Sequence, residues 1–231
     1  MATEFDKKIK KPHDEYMARI IRFLFCIPVA KLFLRYKNVT PNQITVISIF
    51  PGILSIIFLS LGGYTFMLIG AFFAFLHAVL DGSDGIVARA KDMQSKFGAW
   101  LDGVIGYVLL PLMMLAAGIG LRNYLALMIG SLAALCFPIQ FSLIHFYKSE
   151  IKKDNQRIEV SKSGKFEFLK YIYGSAIFIP ALLISAIFNK TIYVLLFFAV
   201  FGNLFWMVVI IMHYRDLRKE IKNFKSEFNK I

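Results

Sequence analysis

Long apolar runs constrain the fold of this chain more than any other feature of its sequence. An α-helix needs about 20 mostly apolar residues to cross the roughly 30 Å hydrocarbon core of a bilayer. Runs of this kind can be drawn at residues 43–62, 64–82, 98–120, 124–146, 168–188 and 191–212. Hydrophobic residues make up 58% of the sequence, against roughly 45–50% in soluble domains. The sequence therefore predicts an all-α integral membrane protein with six transmembrane helices.

The basic residues are unevenly distributed between the two sides of this predicted bundle. The chain carries 27 Lys and Arg residues and a formal net charge of +12. With the N-terminus in the cytoplasm, the three outward turns contain only Arg122 and Lys190. Because Lys and Arg are enriched in cytoplasmic loops, we expect a multi-pass protein of the cell membrane with both termini in the cytoplasm. The positive charge then indicates a membrane surface as the partner, and not a nucleic acid.

The segment before the first span combines basic residues with aromatic and aliphatic ones. Residues 15–36 are too charged to cross a membrane, and they predict an N-terminal amphipathic helix in the interface, broken near Pro28. Thr40 and Pro41 fit an N-cap and first position of the first spanning helix. Three regions follow from this division: a cytoplasmic N-terminus with the interfacial helix (1–38), a six-helix transmembrane domain (39–213) and a basic cytoplasmic tail (214–231).

Three carboxylates lie at or within the ends of two apolar segments, at Asp81, Asp84 and Asp102. An ionised Asp within a membrane segment costs about 2.5–3.5 kcal/mol even on mild insertion scales, so such an acid indicates function. Asp81 and Asp84 are three residues apart and share one face of a helix. Clustered carboxylates without Cys or His at ligand spacing favour Mg²⁺, Mn²⁺ or Ca²⁺ over zinc.

Small residues and one arginine accompany these acids. Gly82 and Gly85 flank Asp84, and a residue without a Cβ lets another helix or a planar ligand approach the backbone. Arg89 offers a planar fork for a phosphate or a carboxylate. Each feature alone has a structural explanation, because glycines pack transmembrane helices and arginines at membrane ends reach toward water. Together, within residues 81–102, they predict a metal and phosphate site near the cytoplasmic face.

This segment resembles the signature of the CDP-alcohol phosphotransferase family, D-x2-D-G-x2-A-R-x8-G-x3-D-x3-D. The matching residues are Asp81, Asp84, Gly85, Ala88, Arg89, Gly98 and Asp102. Thr40, Pro41, Asn42 and Thr45 are similar to the family's T-P-N-x2-T element, which precedes its first span. Six spans after an interfacial helix are also the family's architecture, so the resemblance covers most of the chain.

The resemblance implies that an acceptor hydroxyl attacks the phosphorus of a CDP-linked alcohol, which forms a phosphodiester and releases CMP. It implies that Asp81, Asp84 and Asp102 hold Mg²⁺ or Mn²⁺, as two ions, and that Gly85 and Ala88 let the cytidine approach. Paired cations suit this chemistry because they polarise the phosphoryl group. The other residues matched toward the donor are Asn42, Arg89 and Gly98. A homodimer is expected, as is common in the family.

The fourth aspartate of the signature is absent, and Gly106 stands in its place. In the family this aspartate is the proposed general base and helps to hold the metals. Loss of a general base typically lowers a rate about 10²–10⁴-fold. Three interpretations of Gly106 follow: a slow or differently organised transferase, a catalytically silent binder of CDP-linked ligands, or a variant of an active parent. His77, one helical turn before Asp81, is a possible participant, although a lone His on an apolar helix is more often a packing residue.

The motif leaves the alcohol of the donor open among a diacylglycerol, an ether lipid and a polyol such as inositol. The phrase S-K-F-G-A-W-L-D is similar to members that act on inositol phosphates or other polyol phosphates. A vestibule for a phosphorylated acceptor is one interpretation of five basic residues, and solvated cytoplasmic charge is the simpler one: Arg35, Lys37, Lys148, Lys152 and Lys153.

Two hypotheses of another class remain. A cation-coupled transporter or carrier would also use intramembrane acids, but transport sites tend to lie near the midplane, whereas these acids cluster toward one face. A non-catalytic membrane subunit would keep the fold and the ligand pocket while lacking the base.

Overall fold

The computed structural model describes residues 16–147, 149 and 175–228. Every element in this part of the chain is helical. The N-terminal helical segment consists of α1 (Tyr16–Ile21), a π-helical turn (Arg22–Cys26) and α2 (Ile27–Leu34). Four long helices follow: α3 (Pro41–Leu61), α4 (Tyr64–Ala90), α5 (Lys96–Gly120) and α6 (Tyr124–Phe146). The remaining elements are α7 (Ser175–Ile187), α8 (Thr191–Phe197), a second π-helical turn (Phe198–Gly202) and α9 (Asn203–Phe228).

Five segments of the described chain are long and apolar enough to cross a bilayer. They are Pro41–Leu61, Tyr64–Ala90, Lys96–Gly120, Tyr124–Phe146 and Thr191–Arg215. These confirm five of the predicted spans and make this a multi-pass membrane protein. The other predicted span, 168–188, lies partly outside the described residues. Within them α7 has 13 residues, or about 20 Å of helix, so the count of six stays a prediction.

Local sequence determines where α3 begins and ends. The Thr40 hydroxyl accepts a hydrogen bond from the Gln43 backbone N–H, and the Gln43 side chain accepts one from the Thr40 N–H at 2.8 Å. This reciprocal capping box, with Pro41 in the first turn, confirms the predicted start of the helix. At the other end Gly62 and Gly63 have φ values of +70° and +79°. Glycine adopts this conformation readily, which allows the tight turn into α4.

The N-terminal helical segment packs against the C-terminal half of α4. Cys26 is buried in one cluster with Val87 of α4. The chain remains helical through Pro28, so the predicted break takes the form of a widened π-helical turn just before it. Such a turn accommodates proline, whose ring would clash with the carbonyl four residues earlier. The outer face exposes Phe23 and Leu24, at 71% and 55%.

Lys91, just after α4, fixes the linker that joins this segment to α3. Its ammonium group donates hydrogen bonds to the backbone carbonyls of Tyr36, Lys37 and Val39, at 2.9, 3.2 and 2.7 Å. A cation is also favourable at this position because it lies next to the carbonyl end of a helix. The linker between α2 and α3 is therefore tied to the end of the helix that carries the acidic signature.

The main core is one hydrophobic cluster to which every helix from α3 to α8 contributes side chains. Met113 of α5, Phe178 and Leu182 of α7, and Leu195 of α8 are fully buried in one hydrophobic cluster. Because α7 contributes side chains to this core, the short helix is part of the bundle.

Candidate active site

The facing ends of α4 and α5 bring the three acids together. Asp81 and Asp84 lie in the last turns of α4, and Asp102 lies in the second turn of α5. One carboxylate oxygen from each residue lies within 4.8 Å of the other two. Asp84 is buried, Asp81 is half-buried and Asp102 is exposed, so the cluster runs from the protein interior to its surface. The sequence-predicted metal ligands therefore form one group.

This donor set fits a hard divalent cation. Oxygen ligands lie about 2.1 Å from Mg²⁺ and about 2.3–2.6 Å from Ca²⁺, so two ligands of one ion are at most about 4–5 Å apart. The three oxygens all lie within 4.8 Å of one another, which is at that limit, and a small rotation of the exposed Asp102 carboxylate would shorten its distances to the other two. Carboxylates with no thiolate or imidazole in the cluster suit Mg²⁺ or Mn²⁺. Asp81, Asp84 and Asp102 are therefore the residues that would hold such an ion.

Thr45 of α3 holds the buried member of this cluster in position. Its hydroxyl donates a hydrogen bond to Oδ2 of Asp84, and it lies 3.1 Å from the carbonyl oxygen of Pro41. Thr45 and Asp84 are only 3% and 6% exposed. The bond therefore fixes the orientation of the Asp84 carboxylate within the cluster. The sequence placed Thr45 in the element before the first span but gave no sign of this contact.

Four predicted residues form a stripe along the accessible side of α4. Asp81, Gly85, Ala88 and Arg89 follow at helical spacing and are all half-buried, whereas Val87 is fully buried. The Arg89 side chain folds back along its own helix, since a Cβ added to Gly85 would lie 3.4 Å from Nη1. The stripe therefore presents a carboxylate, a surface of small residues and a guanidinium in line.

Asn42 and Gly98, both predicted on the donor side, are also brought together. A Cβ added to Gly98 would lie 2.9 Å from Oδ1 of Asn42 and 3.1 Å from Oγ of Ser95. Ser95 caps α5, because its hydroxyl accepts a hydrogen bond from the Gly98 N–H at 2.9 Å. The bare backbone at Gly98 thus lets the start of α3 approach the start of α5.

A cavity of about 490 Å³ opens beside the acids, a size typical of small-molecule sites. Its wall includes Asp81, Asp102, Gly106, Arg22, Gln140 and Phe141. Burial and the nearby positive charge of Arg89 lower the pKa of Arg22. Two guanidinium groups therefore lie near each other beside an acidic cluster. The sequence had assigned Arg22 only to the interfacial helix, because nothing local to residues 15–36 predicts which side chain turns inward.

Only two of the five residues of the predicted basic vestibule lie in the described part of the chain. Arg35 and Lys37 are exposed, and neither lies in the wall of this cavity. Lys148, Lys152 and Lys153 lie outside the described residues.

Gly106 faces open space in the cavity wall. A Cβ added there would meet no heavy atom of the described part of the chain within 4 Å. A larger side chain at this position would therefore point into the cavity, one helical turn beyond Asp102, without displacing a neighbour.

The two cysteines are both buried and form no disulfide, and each packs in an apolar cluster. Cys26 lies against α4, where a Cβ added to Gly82 would be 2.8 Å from its Sγ. Burial is the main cause that raises the pKa of the Cys26 thiol, to about 11, and the positive charge of Arg22 opposes it. Cys26 is therefore a neutral thiol at physiological pH.

Comparison with known proteins agrees with the geometry of the site. A family model described as CDP-alcohol phosphatidyltransferase matches residues 38–201. A bifunctional IPC transferase and DIPP synthase of Aquifex aeolicus is 42% identical over 66 residues, which cover 29% of this chain and 14% of that protein. A protein of the same name from Thermococcus kodakarensis is 31% identical over 101 residues, or 42% of this chain and 21% of that protein. The matches thus span about a fifth of these relatives or less.

Proposed function

This chain belongs to the CDP-alcohol phosphatidyltransferase family, and from that premise we propose that it transfers a phosphoalcohol group from a CDP-linked alcohol to an acceptor hydroxyl and releases CMP. The observation that carries the proposal is the convergence of Asp81, Asp84 and Asp102 within 4.8 Å, at the family's signature positions. An acidic cluster of this kind beside two guanidinium groups suits a bound cation that faces a phosphate.

The acids would hold Mg²⁺ or Mn²⁺, and we propose two ions. The chemistry supplied by the bound cations is polarisation of the phosphoryl group and neutralisation of charge on the leaving phosphate. Thr45 keeps Asp84 oriented through its hydrogen bond. The chain itself therefore contributes a fixed set of oxygen ligands.

The stripe on α4 is the proposed binding surface for the CDP group. Gly85 and Ala88 leave the helix backbone accessible to the flat cytosine and its ribose, because neither side chain extends beyond a methyl group. Arg89 lies at the end of the stripe and is suited to bind a diphosphate oxygen. Asn42 and Gly98 close this surface from the side of α3 and α5.

The cavity beyond the acids is the proposed site of the acceptor. Gln140 lies in its wall, and its buried Oε1 makes no hydrogen bond within the described residues. A buried amide oxygen without a donor costs about 1–3 kcal/mol, a cost that a ligand hydroxyl would relieve. With Arg22 in the same wall, these groups favour a phosphorylated polyol over a wholly apolar alcohol. Substrates of the two relatives are therefore the first to test on this chain.

The membrane arrangement completes the proposal. We place the transferase domain at residues 39–213, with α7 as the end of a sixth spanning helix because it packs in the common core. The N-terminal segment lies in the interface on its exposed apolar face, and the termini and active site face the cytoplasm. Reporter fusions at residue 122 and after residue 231 test the orientation. Light scattering of the purified protein in detergent tests for the homodimer.

Metal-dependent CMP release by the purified full-length chain is the direct test of the activity. The donors are CDP-diacylglycerol and CDP-linked polyols, and the acceptors are polyol phosphates and free polyols. We expect release that requires Mg²⁺ or Mn²⁺ and is lost in Asp84→Asn. Val87→Ala, which shortens a buried side chain on the same helix, is the matched control and should remain active. A transporter would show metal-dependent uptake into vesicles without CMP release.

The second candidate function is binding of CDP-linked ligands without turnover, and the open space at Gly106 is the observation that favours it. In that case the chain binds CDP together with Mg²⁺ or Mn²⁺ but releases no CMP, and Gly106→Asp restores CMP release. Calorimetry with CDP and Mg²⁺ beside the release assay separates a silent binder from an active transferase.

A further inference from the structure

We propose that His77 accepts the proton of the attacking acceptor hydroxyl, in place of the side chain that is missing at Gly106. The inference rests on the proposed transferase function and adds a catalytic residue to it. His77 is outside the family signature, yet it lies in the wall of the same cavity as Asp102 and Gly106.

Helix register places His77 opposite Gly106. The chain reverses between α4 and α5, and the acidic cluster joins Asp81 of one helix to Asp102 of the other. Four residues deeper along α4 from Asp81 is His77, and four residues deeper along α5 from Asp102 is Gly106. Both steps correspond to about 6 Å of helix. The imidazole therefore lies at the depth of the missing carboxylate, on the facing helix.

The surroundings of His77 fix which nitrogen is available. Its Nδ1 lies 2.9 Å from the backbone carbonyl oxygen of Ser48. Because a carbonyl oxygen only accepts, Nδ1 carries the hydrogen and Nε2 of the neutral ring carries the lone pair. Gly52 of α3 lies beside the same ring, since a Cβ added there would be in ordinary contact with Nδ1 at 3.5 Å. The ring is thus anchored on α3 through one nitrogen and keeps a basic nitrogen on its other side.

His77 and Gly106 line the same cavity. Among the residues that the structure describes, a Cβ at Gly106 would meet no atom within 4 Å, so the acceptor has room beside Gly106 in that cavity. Leu110 and Met113, which follow Gly106 along α5, line the same cavity with apolar side chains. A hydroxyl held here would lie between the acids and the imidazole.

The proposed step involves the acceptor hydroxyl, the CDP-linked donor, His77 and water. The acceptor hydroxyl gives its proton to Nε2 of His77 as its oxygen forms a bond to the phosphorus of the donor. The bond from that phosphorus to the oxygen of CMP breaks, and CMP leaves with the electron pair. The imidazolium then passes its proton to water in the cavity. The Ser48 carbonyl holds the ring in one orientation throughout.

Substitution in two backgrounds tests the proposal with the full-length protein. We expect His77→Ala to lower kcat for CMP release about 10²–10⁴-fold, the usual contribution of a general base, with CDP affinity unchanged. Added imidazole, which fits the vacated space, should restore part of that loss. In the Gly106→Asp background, where a carboxylate takes over the proton, His77→Ala should lower kcat less than tenfold.

Two further variants separate catalysis from folding. His77→Asn retains an amide N–H at the position of Nδ1 for the Ser48 carbonyl but lacks a basic nitrogen, so it should fold like the parent and still lose kcat. His145→Ala is the matched control, because the ring of His145 lies tilted against Phe141, with the ring centroids 3.9 Å apart, and does not line the cavity. It should be insensitive to imidazole and to Gly106→Asp.

The outcomes separate this inference from the proposed function. An equal loss from His77→Ala in both backgrounds, without rescue by imidazole, would show a packing role and overturn the inference alone. Full activity of His77→Asn would do the same. CMP release by Gly106→Asp but not by the chain as it stands would also refute His77 as the base while supporting the transferase site. Absence of release from both would refute the transferase function and the inference together.

Discussion

Replacement of Thr45 by Val is predicted to weaken metal binding while leaving the fold intact. The substitution keeps the shape of the side chain and removes the hydroxyl that donates to Asp84. Both residues are almost fully buried, so water does not replace the lost donor. A hydrogen bond to a charged group contributes about 1.5–3 kcal/mol, and loss of a group that orients a metal ligand typically lowers metal affinity about 10–100-fold. The two estimates agree.

The assay is CMP release measured as a function of Mg²⁺ concentration, with Mn²⁺ binding followed by electron paramagnetic resonance. The Mg²⁺ midpoint of Thr45→Val should rise about 10–100-fold, while kcat at saturating Mg²⁺ stays close to that of the parent. Ser55→Ala is the matched control, because it removes another fully buried hydroxyl of α3. An unchanged midpoint in Thr45→Val, or an equal shift in Ser55→Ala, would refute the account of how Asp84 is oriented.

Three further predictions concern the surroundings of the site. Burial raises the pKa of Cys26 to about 11. Its rate of labelling by N-ethylmaleimide, measured by mass spectrometry, should therefore be slow at pH 8 and increase as the pH approaches that value. Rapid labelling at pH 8 would contradict a buried neutral thiol. Gly98→Ala places a Cβ 2.9 Å from Oδ1 of Asn42. Calorimetry should therefore show CDP binding weakened about tenfold, which corresponds to the free energy of about one hydrogen bond. The Tm should be unchanged. Lys91→Met removes three hydrogen bonds from the linker at residues 36–39 and should lower Tm by about 3–10 °C, whereas Lys91→Arg should lose less.

Much of the membrane architecture could be predicted because it depends on local composition. The spans at Pro41–Leu61 and Tyr64–Ala90 follow from runs of apolar residues, and the start of the first follows from the Thr40 cap. The clustering of Asp81 with Asp102 also followed from the sequence, since acids at the facing ends of consecutive helices meet when the chain reverses between them.

What could not be predicted depends on contacts between distant segments. Asp84 receives its hydrogen bond from a residue 39 positions away, and no local pattern encodes that partner. Arg22 faces the cavity because of how the N-terminal segment packs on α4, and the π-helical turn before Pro28 alters which side chains turn inward. Helical periodicity alone gives neither result, because it assumes a regular helix.

The stripe on α4 makes the site sensitive to insertions and deletions within this helix, an effect that substitutions do not test. Asp81, Gly85 and Arg89 share one face because each follows the last by four residues. One inserted or deleted residue between them would rotate everything that follows by about 100°, turning Arg89 away from the acids while Asp81 stays in place. In engineering this protein, the number of residues between Asp81, Gly85 and Arg89 therefore has to be kept, whichever residues between them are exchanged.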